Sequence, residues 1–420
     1  MKHNSNTSLT YPIIRSYSRR KLLKIAGAGA VAYAGSTLAT ACSIGNDVSS
    51  TDSPIRIGVL LPYTGIYAAL GDSIASGLEM YLDEIGNQAG GRNIQIIAED
   101  TEMKPNIAQQ KIRKLVEQDE VDIVAGIVST GVLYGLQEYF HNNKKILICA
   151  NAGGNKISRD MKSPYVWRSS FSNWQPNWPL GLWAYKNVAS KVFMSAPDYG
   201  AGHNMVNAFA HSFQSAGGMI LGKQFTPFPS MGDPAPFITE IRKSRPPMVF
   251  CFYSGSAAVA FVKAYNEFGL TKEIPLVCSG FTVEEDVLPA QGSAAVGARS
   301  GLHWALLLDN PTNRQFTTAY KDRTNTDANV FAVQGYDTGK IISHMLNEVQ
   351  GDTSNTGKML ESLHQFSFAS PRGPVILDSK SQNPTQHIYV REVKEIDGQL
   401  HNAVVEDLGE FTDPGDDSLG

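Results

Sequence analysis

Along most of this chain, short apolar runs alternate with stretches in which apolar residues recur every three or four positions. Ile55 to Leu61 predicts a strand, followed by a turn through Pro62 and Gly65. Ile74, Leu78, Leu82 and Ile85 then recur at helical spacing. Ile94 to Ala98 predicts the next strand, and Asn106 predicts the cap of a helix bearing Ile112 and Leu115. Val121 to Ile127 and Lys145 to Ala150 predict two more strands with a helix between them. The rhythm restarts at Lys191 to Ala196 and continues with strands at Met248 to Tyr253 and Ile274 to Cys278. Continuous apolar strands separated by amphipathic helices predict parallel sheets covered on both faces. The pause around Trp174 to Pro179 divides the pattern into two similar series, and therefore two lobes. The end differs: Gly373 to Leu377 and His387 to Val393 have no helix between them and predict an antiparallel hairpin.

The first 42 residues stand outside this rhythm. Ser18-Arg19-Arg20-Lys21-Leu22-Leu23-Lys24 precedes an apolar run that ends at Ala39-Thr40-Ala41-Cys42. A basic patch, an apolar stretch and small residues before a cleavage point form an export signal, here residues 1–41, that is not part of the fold. The paired arginines resemble a twin-arginine (Tat) signal, with Leu22 where that pattern usually has Phe. Cys42 resembles the lipid-accepting cysteine of a bacterial lipoprotein, although Leu38 lies one position further from it than usual. Ala39-x-Ala41 equally suits ordinary signal-peptide cleavage. Either cleavage sends the mature protein outside the cytoplasm, to the periplasm or the outer face of the cell membrane. Residues 42–53 are polar and predict a tether, and 411–420 a C-terminal tail.

Composition narrows the partners. The signal holds six of the 36 Lys and Arg residues and none of the 40 Asp and Glu, leaving the remainder at a net charge of −10. An acidic surface excludes nucleic acid as the expected partner, because phosphate neutralisation needs clustered Lys and Arg. No stretch after Cys42 has the length of uninterrupted apolar sequence that a membrane-spanning helix needs, so any membrane attachment is expected through lipid alone. Cys149, Cys251 and Cys278 sit in apolar strands and are expected to be free thiols.

The catalytic inventory is thin. Gly27-Ala28-Gly29-Ala30-Val31-Ala32 imitates a dinucleotide fingerprint but lies inside the export signal and follows no strand. Gly-x-Ser-x-Gly, a Walker-type lysine loop and His-Glu-x-x-His are missing from the sequence. His203 and His211 want a third ligand for a metal site, and Glu284-Glu285 reads as a solvated pair. No enzyme, cofactor or metal is therefore expected. Binding is better supported, because loops after successive strands carry small and hydroxyl residues. Ser129-Thr130-Gly131 and Ala150-Asn151-Ala152-Gly153-Gly154 are the main ones. Ligands in open α/β sheets bind outside the carboxyl ends of the strands, where helix N-termini offer unpaired N–H groups to anions. The same residues also serve as ordinary helix caps and turns. Tyr165, Trp167, Phe171, Trp174 and Trp178 form an aromatic cluster beside the pause between lobes, suited to core packing or to an apolar cleft.

With these residues in view, the chain from about Ile55 to Val405 resembles the type I periplasmic binding proteins, and within them the branched-chain amino-acid receptors of ABC importers. Ile57-Gly58-Val59-Leu60-Leu61-Pro62-Tyr63-Thr64-Gly65 looks like that family's opening strand and first ligand loop. Asp198-Tyr199-Gly200-Ala201-Gly202 resembles its Tyr-Gly loop in the second lobe. Pro371-Arg372-Gly373-Pro374-Val375, then Gln382-Asn383-Pro384, looks like its last crossover and hairpin. The resemblance implies two Rossmann-like α/β lobes, with parallel sheets flanked by helices, joined by three crossover segments. The expected division is 54–172 with 304–372 for lobe 1, and 173–303 with 373–410 for lobe 2. It further implies a monomer that closes on a small carboxylate and delivers it to an ABC permease.

Carried over by position, Ser129, Thr130, Ala150 and Gly153 would bind a ligand carboxylate from the first lobe, and Tyr199 would close over it from the second. Tyr63, Asn151, Phe171, Ser254, Phe281 and Thr282 complete the expected ligand-binding set, with Cys42 as the lipidation site. The departure from the amino-acid receptors lies at Gly280-Phe281-Thr282, where a neutral hydroxyl stands in place of the usual ammonium-binding carboxylate. A buried ammonium without a partner is costly, so this position argues against an α-amino acid. His303-Trp304 to Asp309-Asn310-Pro311 and Gln334-Gly335-Tyr336-Asp337 look closer to the family's aromatic-acid receptors. An aromatic or hydrophobic carboxylate is the expected ligand. The alternative is a branched-chain or other hydrophobic amino acid or amide, with Glu284 at the ammonium site if the register shifts by two. Service to a membrane sensor instead of a permease is a second functional class, and an enzyme on a similar scaffold a third.

Overall fold

The computed structural model describes residues 53–417, together with a two-residue strand at Ile14–Arg15. The export signal, Cys42 and most of the tether lie outside the described residues. The first sheet holds β1 (Ile55–Leu61), β2 (Arg92–Asp100), β3 (Ile123–Gly126), β4 (Leu147–Cys149) and β5 (Val166–Arg168). Their spatial order is β2-β1-β3-β4-β5, all parallel, with Ile14–Arg15 alongside β2. Every residue of β3, β4 and β5 is buried. That is the burial expected when helices cover both faces of a parallel sheet, and it explains the unbroken apolar runs. The crossover helices include α1 (Ala68–Glu84), α2 (Pro105–Arg113) and α3 (Thr130–Asn142). Contrary to the expected cap at Asn106, α2 begins at Pro105, whose missing N–H costs nothing at a first helical position. Leu115 falls on the π-helical turn Lys114–Gln118 that follows.

After β5 the chain passes to the second sheet through α4 (Trp174–Asn187). This sheet has a parallel part made of β6 (Lys191–Pro197), β7 (Met219–Thr226), β8 (Val249–Cys251), β9 (Leu276–Ser279) and β10 (Arg299–Leu302). Helices α5 (Gly200–Ser215), α6 (Ala235–Ser244) and α7 (Gly255–Glu267) provide its crossovers. Gly181 on α4 lets the helix lie directly against α5, since a Cβ there would fall 2.1 Å from Ser212 Oγ and 2.5 Å from Phe209 O.

From β10 the chain returns to the first lobe as α8 (Pro311–Thr324) and α9 (Val330–Glu348). Helices α9 and α1 touch backbone to backbone, because a Cβ on Gly77 would sit 1.9 Å from Ala332 O and one on Gly335 1.9 Å from Ile74 O. A third passage carries β11 (Ser367–Ser370) and β12 (Gly373–Asp378) into the long β13 (Asn383–Ile396) and β14 (Gln399–Phe411). The second sheet runs β11-β12-β13-β10-β9-β8-β6-β7, with β14 on β13.

The expected terminal hairpin is present in part. Ile376 to Asp378 pairs antiparallel with Asn383 to Thr385, while His387 to Val393 pairs with β14 and, from Tyr389 to Glu392, with β10. One apolar core runs through both lobes, from Ile57 and Ile74 to Met194, Phe250 and Val277, and two smaller cores back the outer helices. The three cysteines of these strands are free and buried.

Candidate functional site

The carboxyl ends of both sheets face one cleft. From the first lobe, β3 leads to Val128 and Thr130, β4 to Asn151 and Gly153, and β5 to Phe171 and Asn173. From the second, β6 leads to Tyr199 and Ala201, β8 to Phe252 and Ser254, and β9 to Phe281. The starts of α1 and α9 add Tyr67, Leu70 and Phe331. A wider depression beside Arg242, Lys243 and Arg245 is open to solvent at the amino ends of β8 and β9, away from this convergence.

Rings wall the cleft. Phe281 lies 4.9 Å from Phe171, 5.9 Å from Phe331 and 6.5 Å from Phe252, centroid to centroid. Tyr199 stacks on Phe228 at 4.1 Å and 6°. The hydroxyls of Tyr67 and Tyr199 meet across the lobes at 3.2 Å. Burial pushes the Tyr67 phenol up to about 12 and raises that of Tyr199, so both stay protonated and able to donate near neutral pH. Gly255, at φ +57°, brings α7 close to the first lobe, where a Cβ would sit 2.5 Å from Ile66 O.

No residue in the described lining carries a charge. Any anion is therefore met by dipoles: helices α3, α5 and α7 all begin at the cleft, and each first turn has N–H groups without an intrahelical partner. Ser254 caps α7 in extended conformation and makes no side-chain cap bond.

Seven of the eleven ligand-binding residues expected from sequence line this cleft: Thr130, Asn151, Gly153, Phe171, Tyr199, Ser254 and Phe281. The other four are placed beside it. Ser129 caps α3, its Oγ accepting from Val132 N at 3.5 Å. Ala150 is fully buried, its N–H donating to Gly126 O at 2.8 Å. Tyr63 donates its N–H to Asp100 Oδ1 at 3.0 Å. Thr282 folds back on Tyr253, accepting from its N–H at 3.0 Å and donating to its carbonyl at 3.1 Å.

Glu284, the alternative ammonium partner, is fully buried; Arg391 Nη1 lies 2.8 Å from its Oε2 and Val330 N donates to its Oε1 at 2.8 Å. Sequence reading left out Tyr67, Leu70, Val128, Asn173, Ala201, Met205, Phe252 and Phe331. Phe252 and Ala201 were accessible to the rule that named their neighbours Ser254 and Tyr199. Tyr67, Leu70 and Phe331 carry no local signal.

A polar layer lies behind the rings. Asn151 Nδ2 donates to Gln334 Oε1 at 2.7 Å, and Gln334 Nε2 lies 3.3 Å from His303 Nε2. His303 is fully buried and stacks on Phe171 at 5.4 Å. Burial, with Arg372 and Arg391 nearby, pushes its imidazole well below the usual histidine range, so it is neutral. Among the described residues no group of His, Cys, Asp and Glu is arranged to hold a metal, and no helix is long and apolar enough to cross a membrane.

Two lobes with parallel sheets, three passages between them and a ring-walled cleft at the strand ends define a binding protein that encloses a small solute. The chain belongs to the periplasmic binding protein family, whose model matches residues 54–399. It is 31% identical over 367 residues to the "Leu/Ile/Val-binding protein homolog 6" of Brucella melitensis, covering 86% of this chain and 93% of that one. A solute-binding protein of an R. palustris ABC transporter, solved in complex with benzoate, is 32% identical with a TM-score of 0.81, over 85% of this chain and 97% of that one. Another from R. palustris, in complex with 4-hydroxybenzoate, is 28% identical with a TM-score of 0.83, over 86% and 99% of the two chains. These likenesses place the chain among the substrate-binding proteins of ABC transporters.

Proposed function

We propose that this protein captures an aromatic carboxylic acid and presents it, with closed lobes, to an ABC permease. The observation carrying this reading is a cleft walled by Phe171, Tyr199, Phe252 and Phe281 with no carboxylate in its lining. Helix N-termini suit a carboxylate, and stacked rings suit an aromatic body. Glu284, the nearest candidate for an ammonium, is committed on both oxygens. The benzoate and 4-hydroxybenzoate complexes of the two R. palustris relatives support the same ligand class.

Closure follows a population shift. A ligand held by both lobes binds the closed form better, and that difference in affinity draws the equilibrium toward closure. The name of the Brucella relative favours a second reading, a branched-chain amino acid.

A thermal-shift screen of residues 43–420 separates the two, because a ligand that binds only the native state raises the melting temperature. Stabilisation by benzoate or a phenylpropanoid acid, but not by leucine or phenylalanine, is the expected result. The reverse pattern would sink the aromatic-acid reading. We further propose export by a twin-arginine signal and anchoring through a lipid on Cys42, the protein acting as a monomer. Cys42→Ser is expected to abolish lipid labelling and release soluble protein; a wild type that takes no label rules out the anchor.

A further inference from the structure

Helix α5 of the second lobe meets α3 of the first over one helical turn. Gly200 and Asn204 stand four residues apart on α5, and Thr130 and Tyr134 four apart on α3, so each pair shares a face of its helix. A Cβ on Gly200 would sit 3.0 Å from Thr130 Cγ2 and 3.6 Å from Tyr134 Cε2. That close approach lets Asn204, which is half-buried, reach across. Its Oδ1 accepts from Tyr134 OH at 3.2 Å, from the Asn155 N–H at 3.2 Å and from Asn173 Nδ2 at 3.4 Å. All three donors belong to the first lobe or to the passage that leaves it.

The direction of these bonds is fixed. A backbone N–H can only donate, so Asn155 requires the oxygen end of the Asn204 amide to face the first lobe. Lys156 N donates to the Tyr134 phenol oxygen at 3.4 Å, which leaves the single phenol proton for Asn204. The donors are also held in place from behind. A Cβ on Gly154 would sit 2.5 Å from Tyr134 Cε1, and Asn155 Oδ1 accepts from Trp174 N at 2.9 Å. Asn204 itself does not line the cleft, unlike Tyr67 and Tyr199, whose hydroxyls also meet between the lobes.

We infer that Asn204 is a closing latch, a positioning residue that touches no ligand and sets affinity by holding the second lobe on the first. This rests on enclosure of a solute between the lobes, as proposed above, and not on the chemical class of that solute. Parting the lobes breaks all three bonds together, with water taking their place. Apparent affinity falls with the population of the closed form, by the same factor for every ligand. Release must wait for the latch to open, so its loss shows in the rate of release.

Titration calorimetry and stopped-flow tryptophan fluorescence on wild type, Asn204→Leu, Asn204→Asp and Tyr134→Phe test the latch. The ligands are benzoate, 4-hydroxybenzoate, leucine and isoleucine. Asn204→Leu is expected to weaken every ligand that binds by one common factor of about ten, the scale of one or two net hydrogen bonds, with faster release. Asn204→Asp keeps an acceptor oxygen and is expected to stay close to wild type. Tyr134→Phe removes one donor and is expected to lose less than Asn204→Leu. Unchanged affinity in Asn204→Leu overturns the latch, as does an equal loss in Asn204→Asp. A loss that differs between ligands makes Asn204 a ligand contact and overturns it too, and so does a loss carried wholly by slower association. A wild type that binds the amino acids and neither aromatic acid sinks the aromatic-acid reading alone, and the common factor is then read on leucine and isoleucine. A wild type that binds none of the four overturns both.

Discussion

The ligand cleft and the layer behind it handle charge in opposite ways. The cleft is lined by rings, small residues and amides without an ionised side chain. Away from the lining, Glu284 pairs with Arg391 at 2.8 Å and Asp337 with Arg372 at 3.0 Å, all four side chains fully buried. Both pairs sit where the lobes are joined. Glu284 follows β9 of the second sheet yet accepts from Val330 at the start of α9, which packs on α1 of the first lobe. Arg391 also donates to Trp304 O at 2.8 Å and Gly280 O at 3.0 Å. Arg372 donates to Ser170 O at 2.7 Å, next to the first crossover, and to Gln386 on β13.

A buried ion pair demands fixed geometry, because losing one partner strands the other charge. The junction supplies that geometry. A cleft that opens for ligand exchange does not, and there neutral rings and backbone dipoles tolerate repeated hydration. The two pairs are unequal as well: Glu284 has a partner on each oxygen, whereas Asp337 Oδ1 has none, and Arg372 Nε meets the carboxylate without hydrogen-bond geometry.

Breaking the junction therefore costs the most. Arg391→Met is expected to destabilise the protein by about 3–5 kcal/mol, because Glu284 is left charged and buried. Urea unfolding monitored by tryptophan fluorescence checks this, and a loss below 1 kcal/mol contradicts the assignment. The double variant Glu284→Gln/Arg391→Met is expected to recover part of the loss, since no charge is stranded.

On the cleft side, Tyr199→Ala removes the stack on Phe228 and the contact with Tyr67. It is expected to weaken ligand binding by about 2 kcal/mol, roughly 30-fold, the scale of an aromatic anchor at an interface. The fold is expected to remain, as circular dichroism would show. Unchanged affinity removes Tyr199 from the site.

A smaller effect links the junction to pH. Glu285 and Asp286 follow Glu284 in the chain, and burial first, then the Glu284 charge, raises both to about 8. Between their ordinary values near 4.5 and 3.8 and about 8, the folded state holds more protons than the unfolded one. Their contribution to stability is thus complete below those ordinary values and is lost as pH rises through 8. Unfolding at pH 5, 7 and 9 is expected to show that decline, and Glu285→Gln is expected to flatten it; equal slopes in the two proteins refute it. The smallest change is Ser129→Ala. Loss of a cap is worth about 0.5–1 kcal/mol in stability. Ligand affinity is expected to stay the same, since Ser129 turns into α3 rather than into the cleft; a tenfold loss in calorimetry would place it among the ligand contacts.

Much of this architecture is legible in the residues. β1, β3, β4, β6, β8 and β9 are continuous apolar runs because both faces of a parallel sheet are covered. The Met219–Thr226 strand escaped the same reading, since it lies at a sheet edge where exposed and half-buried residues alternate. Val166–Arg168 is too short to show a period. β14 carries six charged or polar residues (Gln399, His401, Asn402, Glu406, Asp407 and Glu410), and its pairing with β13 is a matter of tertiary position.

The cleft divides in the same way. Thr130, Asn151, Gly153, Tyr199 and Ser254 were legible because each sits just after a strand, where helix starts and turns require their residue types. Phe281 and Thr282 are adjacent, yet one faces the cleft while the other bonds to Tyr253. Only the turn after β9 makes that choice.

The sequence by itself determined the strand–helix rhythm, the two-lobed class and the strand ends that carry the cleft, because these follow from local periodicity and turn chemistry. Tertiary structure alone decided that Tyr67, Leu70 and Phe331 join the wall, that Glu284 serves Arg391 and α9, and that Asn151 turns its donor toward Gln334. Tyr67, Phe331, Glu284 and Asn151 each meet a partner far away in the chain, at Tyr199, Phe281, Arg391 and Gln334. Burial then forces the polar groups among them to pair wherever packing has placed them.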